Sequence, residues 1–388
     1  MSDRCYLDWN ATAPMRDEAR AALDDALAMP GNPSSVHGEG RAARRLIEAA
    51  RDEVAALVGA RPEHVTFTSS GTEANMLALT PAIETAAEQR PRLRLLLSAI
   101  EHASVRAGGR FPREAIAEVA VDADGRLDLA ALADAVAATP RPLVSVMLAN
   151  NETGVIQPVA QAAAIVHTAG GLFHVDAVQA VGRIDCDMTA LGADVLTLSA
   201  HKIGGPKGVG ALIRNSEAIH IADPLIRGGG QERGLRAGTE NVAGIAGFGA
   251  AAAAARRKRA AEAAHMRALR DSLEAGLRAI APEAVIFGGS AERLPNTTLF
   301  AVAGMKAETA VIGFDLEGVA VSSGAACSSG NVQPSHVLAA MGVSPPLRRG
   351  AVRVSLGWST TKTDIERFLS AWRKLATALS KERRGIAA

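Results

Sequence analysis

From about residue 60 onward, short apolar runs with β-like composition alternate with stretches of helical periodicity. The runs cover 65–68, 93–98, 143–148, 172–175, 195–199 and 209–213, and the helical patterns include 40–58, 73–87, 129–137 and 159–169. Alternation of this kind predicts an α/β fold with a mostly parallel sheet. The polar residues fall in a restricted place. Gly71-Thr72, Glu101-His102, Asn150-Asn151, Asp176 and residues 199–202 each follow the carboxyl end of a predicted strand. Open α/β sheets bind ligands along that edge, so five strand ends point at one cleft.

Beyond residue 240 the pattern changes. An alanine-rich helical region is predicted over 242–280. It is followed by strands at 285–287, 297–300, 319–322 and 352–355, and by helices at 307–315, 334–341 and 363–379. This reads as a second, smaller α/β domain. At 388 residues, two domains are the expectation. The division is placed at 14–257 for the large domain, with 1–13 and 258–388 forming the small one. No internal repeat or low-complexity linker stands out.

Bulk properties exclude several classes. A formal net charge of +1 offers no electrostatic case for nucleic acid or an acidic membrane, and 3% aromatics leaves little for base stacking. The three cysteines, Cys5, Cys186 and Cys327, cannot all pair within one chain, and no C-x-x-C occurs. Reduced thiols and a cytoplasmic setting are expected. The start lacks the apolar core of a signal peptide. The alanine run 250–255 is broken at once by Arg256-Arg257-Lys258-Arg259, read as a solvated helix face.

The chemistry centres on Lys202, in Ser199-Ala200-His201-Lys202-Ile203-Gly204-Gly205-Pro206-Lys207, and on Asp176, in His174-Val175-Asp176-Ala177-Val178-Gln179. A lysine at one strand end and an acid at the next are the pair that pyridoxal phosphate (PLP) requires. The lysine bonds to the cofactor, and the acid holds the pyridine nitrogen protonated. Lys207 is the rival lysine, but it lies inside the glycine-rich turn, and Lys202 is preferred. Asp176 also reads as an ordinary helix cap. Gln179 suits a hydrogen bond to the ring oxygen. His102 suits stacking on the ring or moving protons, although a lone histidine is more often structural. Ser69-Ser70-Gly71-Thr72-Glu73-Ala74-Asn75 opens a helix with small residues, which suits an anion at a helix N-terminus. A plain helix cap is the alternative there. Ser199 and His201 add possible phosphate donors. Asn151 reads equally as a turn residue.

Cys327 lies in Ser322-Ser323-Gly324-Ala325-Ala326-Cys327-Ser328-Ser329-Gly330, a loop composition rather than a core one. A loop thiol can visit a substrate and then an acceptor, and its thiolate is the nucleophile. Cys5 and Cys186 read as buried structural cysteines. Arg353, in an alternating strand, suits a bidentate grip on a substrate carboxylate or an ordinary surface position.

Together these residues resemble the NifS/IscS-type cysteine desulfurases, class V aminotransferase-family PLP enzymes of the aspartate-aminotransferase-like fold (fold type I). The resemblance runs from Tyr6-Leu7-Asp8-Trp9-Asn10-Ala11-Thr12 through Gly31-Asn32-Pro33-Ser34-Ser35-Val36-His37, the motifs above and Arg227-Gly228-Gly229-Gly230-Gln231 to Arg353-Val354-Ser355. It implies that Lys202 carries PLP, that Asp176 and Gln179 meet its ring nitrogen and oxygen, and that His102 stacks. It implies that Gly71, Thr72, Ser199 and His201 hold the phosphate, with Thr239 reaching the phosphate of a second subunit in a homodimer. Asn151 and Arg353 match residues that bind cofactor or the substrate carboxylate. No metal is implied. The expected reaction removes sulfur from L-cysteine. Lys202 takes the α-proton, Cys327 ends as a persulfide, and L-alanine leaves. The sulfur passes to an acceptor protein such as an iron–sulfur scaffold. Two departures stand out: Trp9 is less usual in the opening motif, and the chain ends without the longer tail with which housekeeping members dock their scaffold.

Overall fold

The computed structural model describes residues 4–86, 91–324 and 335–386. Within them the alternating runs form one seven-stranded sheet. Its strands are β1 (Val65–Thr68), β2 (Leu95–Ser98), β3 (Ile116–Val119), β4 (Leu143–Met147), β5 (Leu172–Asp176), β6 (Val195–Ser199) and β7 (Gly210–Arg214). The spatial order is β1-β7-β6-β5-β4-β2-β3. Neighbours from β6 to β3 run parallel, and β7 is antiparallel to both β6 and β1. The strands β1, β2, β4, β5 and β6 therefore share a direction, and their carboxyl ends share an edge. Strands covered on both faces read as continuous apolar runs. Every residue of β4, β5 and β6 is buried.

The sequence pattern missed β3, a short edge strand whose exposed Glu118 breaks the apolar run. The helix predicted over 73–87 ends at Ala78. Pro81 cannot continue it, and Ile83–Thr85 instead pairs antiparallel with Ile219–Ile221. The predicted strand 319–322 divides in two. Val319–Ala320 pairs with Cys5–Tyr6, and Ser322–Ser323 joins the second sheet.

That second sheet holds β8 (Val285–Ile286), β9 (Thr297–Ala301), β10 (Ser322–Ser323) and β11 (Val352–Ser355) in the order β8-β9-β11-β10, all antiparallel. Its core is aromatic. Phe314 stacks on Phe368 with centroids 4.9 Å apart, and Phe300 meets Trp372 edge-on at 5.2 Å. Such offset and edge contacts add to the burial of the rings themselves.

The long helix Val242–Ile280 serves both cores. Its residues Ile245, Phe248 and Ala251 pack under the large sheet, while Met266, Leu273 and Leu277 pack in the aromatic core. Small residues let it approach its neighbour, the helix Gly38–Leu57. A Cβ on Gly249 would sit 2.5 Å from Ala50 Cα. The basic run at 256–259 is largely exposed, as expected, and three of its members form ion pairs: Arg256 with Glu53, Lys258 with Glu18 and Arg259 with Asp185. Surface pairs of this kind contribute little individually, so the apolar packing holds the helix. Among the described residues no helix is long and apolar enough to cross a membrane.

Candidate active site at the carboxyl edge of the sheet

Nine of the residues singled out in the sequence line one cleft of about 800 Å³, open to solvent: Gly71, Thr72, His102, Asn151, Asp176, Gln179, Ser199, His201 and Lys202. The helix Gly71–Ala78 starts directly after β1. Ser70 caps it, its Oγ accepting from Glu73 N at 3.1 Å, while Glu73 accepts from Ser69 N at 2.8 Å. The first-turn N–H groups of such a helix have no partner inside it. Asp176 is the last residue of β5. Its Oδ1 accepts from Val178 N at 3.0 Å, and its Oδ2 accepts from Asn75 Nδ2 at 2.9 Å. Lys202 closes the turn after β6, and its Nζ donates to the carbonyls of Asn10 (2.6 Å) and Ala11 (2.9 Å). Gln179 donates to the same Asn10 carbonyl at 3.0 Å. His201 Nδ1 lies 3.1 Å from Thr12 Oγ1. The N-terminal segment thus reaches across to the lysine.

His102 caps the short helix Ala103–Arg106 and turns its Nδ1 toward Ser104, 2.8 Å from the hydroxyl. Asn151 is presented by a turn in which Asn150 Oδ1 accepts from Glu152 N and Thr153 N. Burial favours the neutral form of the imidazoles in the cleft. Burial lowers His102, opposed by the Asp176 charge. Burial, with Lys202 and Lys207 nearby, takes His201 to about 4. The carboxyls behind the cleft shift the other way. Glu101 is buried and held well above its usual range, chiefly by desolvation, and its Oε2 has no hydrogen-bond partner among the described residues. Glu152 is pushed up to about 7 by burial, against a 2.6 Å hydrogen bond from Ser335 and the charge of Arg353.

The chain matches the aminotransferase class-V family model over residues 5–368. It is 45% identical to a cysteine desulfurase of Cereibacter sphaeroides over 381 residues, covering 95% of this chain and 94% of that one. It is 39% identical to the cysteine desulfurase NifS of Azotobacter vinelandii over 374 residues, covering 94% and 90%. The solved structure of a NifS-like protein from Rickettsia africae superposes with a TM-score of 0.86 at 36% identity, covering 96% of this chain and 99% of that one. The chain belongs to the NifS/IscS-type cysteine desulfurases. As a member of this class V family it has the fold of the type I PLP enzymes.

The residues of this desulfurase-family chain fit PLP. At one end of the cleft the small residue Gly71 leaves a cradle: a Cβ there would lie 3.2 Å from both Ser199 Cβ and Val178 Cγ2. Hydroxyls and N–H groups around it suit a phosphate. The Asp176 carboxylate and the Lys202 amine line the same cleft, an acid for a ring nitrogen and an amine for an aldehyde. Two of the expected residues, Thr239 and Arg353, do not line the cleft. Cys327 lies outside the described residues. Thr239 is exposed. Arg353 is buried and engaged, with Nη2 donating to Asp8 at 2.7 Å and Nη1 to the Asn151 carbonyl at 3.0 Å. Cys186 is buried, and desolvation pushes its thiol up to about 12, which suits a structural cysteine. Sequence reasoning gave no role to Asn75 or Ser104, which also line the cleft. The available signal was spacing, since Asn75 is one helical turn from Gly71 and Ser104 is two residues from His102.

Proposed function

We propose that this chain is a PLP-dependent cysteine desulfurase. It converts L-cysteine to L-alanine and leaves the sulfur as a persulfide on Cys327. The observation that carries the reading is the convergence of Lys202, Asp176 and a Gly71-centred anion cradle in one cleft. When bound, PLP supplies an aldehyde that captures the substrate amine and a ring that withdraws electrons from its α-carbon. The chain's residues do the rest. Gly71, Thr72, Ser199 and His201 would hold the phosphate. Asp176 would keep a proton on the ring nitrogen, Gln179 would serve the ring oxygen, and His102 would serve the ring face. Lys202 Nζ would anchor the cofactor and, once free, would take the α-proton, and the Asn10 and Ala11 carbonyls to which it donates would receive the resulting ammonium. Asn151 serves the cofactor or, with Arg353, the substrate carboxylate. Arg353 would have to exchange its Asp8 or Asn151 contact to do so. The Cys327 thiolate attacks the substrate sulfur, the S–S bond forms as the C–S bond breaks, and the carbon becomes the methyl group of alanine.

The same reading includes a homodimer in which Thr239 reaches the partner's phosphate site, and a cytoplasmic acceptor of the sulfur such as an iron–sulfur scaffold. It also includes the division of the chain into a large unit at 14–257 and a small one made of 1–13 and 258–388. The test is alanine and sulfide release from L-cysteine plus a reductant, for wild type and Cys327→Ser, with PLP absorbance followed in both. Loss of alanine and sulfide together in the variant, with absorbance retained, is the expected result. Equal alanine from both proteins would sink the persulfide role and favour a thiol-independent lyase.

A further inference from the structure

Among the polar residues that the large sheet buries, three are joined in one hydrogen-bonded row. Ser145, His174 and Thr197 lie on the adjacent strands β4, β5 and β6, and all three are fully buried. His174 Nδ1 is 2.8 Å from Ser145 Oγ, and its Nε2 is 3.1 Å from Thr197 Oγ1. Thr197 Oγ1 donates to Asn75 Oδ1 at 2.6 Å. Asn75, itself buried, donates at 2.9 Å both to Asp176 Oδ2 and to Ser104 Oγ.

Counting protons fixes the direction of this chain. A threonine hydroxyl has one proton, and here it goes to Asn75. Thr197 can then only accept from His174, so His174 carries its proton on Nε2 and receives Ser145 at Nδ1. Burial keeps that ring neutral, with a pKa of about 4. The Asn75 amide cannot turn over, because its oxygen would then face the Asp176 carboxylate. Ser104, having accepted from Asn75, donates its proton to His102 Nδ1 at 2.8 Å, and its N–H aims at the same atom from 3.2 Å. The proton of His102 therefore sits on Nε2.

We infer that Asn75 is a positioning residue for the desulfuration: its one amide sets the Asp176 carboxylate and the Ser104 hydroxyl that faces His102, and the buried Ser145–His174–Thr197 chain orients it. The inference rests on the cofactor reading for the roles of Asp176 and His102. A group that must hold a ring-nitrogen proton is most effective when its own partners leave it a single geometry.

The test uses the full-length protein with ¹⁵N-labelled histidine, as wild type, Asn75→Leu and Thr197→Val. Imidazole ¹⁵N shifts are recorded before and after loading with PLP, and the pH titration of the visible band is followed after loading. Wild type is expected to show single Nε2–H tautomers for His102 and His174. In Asn75→Leu the Thr197 proton loses its acceptor and turns to His174, which admits the Nδ1–H tautomer. The titration midpoint of the visible band moves, and PLP affinity falls about tenfold, as for loss of one hydrogen bond to a charged group. Thr197→Val reads the same coupling if Asn75→Leu does not fold, with a smaller shift of the midpoint in the same direction. Folded variants with wild-type imidazole spectra and an unchanged midpoint would overturn the inference. A wild type that took no PLP would remove the cofactor reading, while the spectra recorded without PLP would still decide whether Asn75 sets the tautomer of His174.

Discussion

Glu152 is a carboxyl group held where charge is costly. Its value of about 7, against an ordinary 4.5, means the folded chain keeps a proton that the unfolded chain has already lost between those limits. The stability this proton contributes is complete below about 4.5 and is lost as pH rises through 7. Glu152→Gln keeps an acceptor for Ser335 and removes the titration. Relative to wild type, the variant should therefore gain about 1–3 kcal/mol between pH 5 and pH 8, read by urea unfolding at both values. A constant difference across that range would show that Glu152 ionises normally. His174 works in the opposite sense: its lowered value makes stability fall as pH drops below about 6.5, equally in both proteins. At this scale, Lys202 and Asp176 were legible because a charged residue directly after an apolar strand is conspicuous. Asn75 and Ser104 are common helix-start residues, and their spacing from Gly71 and His102 points them to the cleft without showing that one amide bridges Asp176, Thr197 and Ser104.

The helix Val242–Ile280 shows how an element can be read correctly while its packing stays hidden. Its alanine and glycine content predicts a helix that others approach closely, but only the fold places Gly249 against Ala50. Gly249→Ala tests which effect wins there. Helix propensity favours alanine by about 1 kcal/mol. A Cβ 2.5 Å from a backbone carbon costs about 1–3 kcal/mol in forced separation. The variant should lose stability, with a lower midpoint in thermal unfolding, and a gain would mean the two helices part freely. The predicted helix over 73–87 failed for a related reason. Its periodicity was adequate, but Pro81 stops the helix, and the strand Ile83–Thr85 forms because Ile219–Ile221 arrives from far along the chain to pair with it.

For the whole molecule, the proposed homodimer predicts a solution mass of about twice the 40.0 kDa chain by light scattering. A fully active monomer would remove the role of Thr239 at a partner's site. The cleft itself is assembled from five strand ends together with the carbonyls of Asn10 and Ala11, whose segment begins in a pairing with Val319–Ala320. That convergence could be argued from the chain alone, because apolar alternation dictates strands and helices, parallel strands share a carboxyl edge, and polar residues collect there. What needed the folded chain were the contacts between residues far apart in number: Lys202 with the N-terminal carbonyls, Arg353 with Asp8, and Asn75 with Thr197 and Asp176. Local pattern reports which way a side chain faces along its own element. Hydrogen-bond partners, proton positions and the cost of burying a charge depend on distances across elements, and those exist only once the layers have packed.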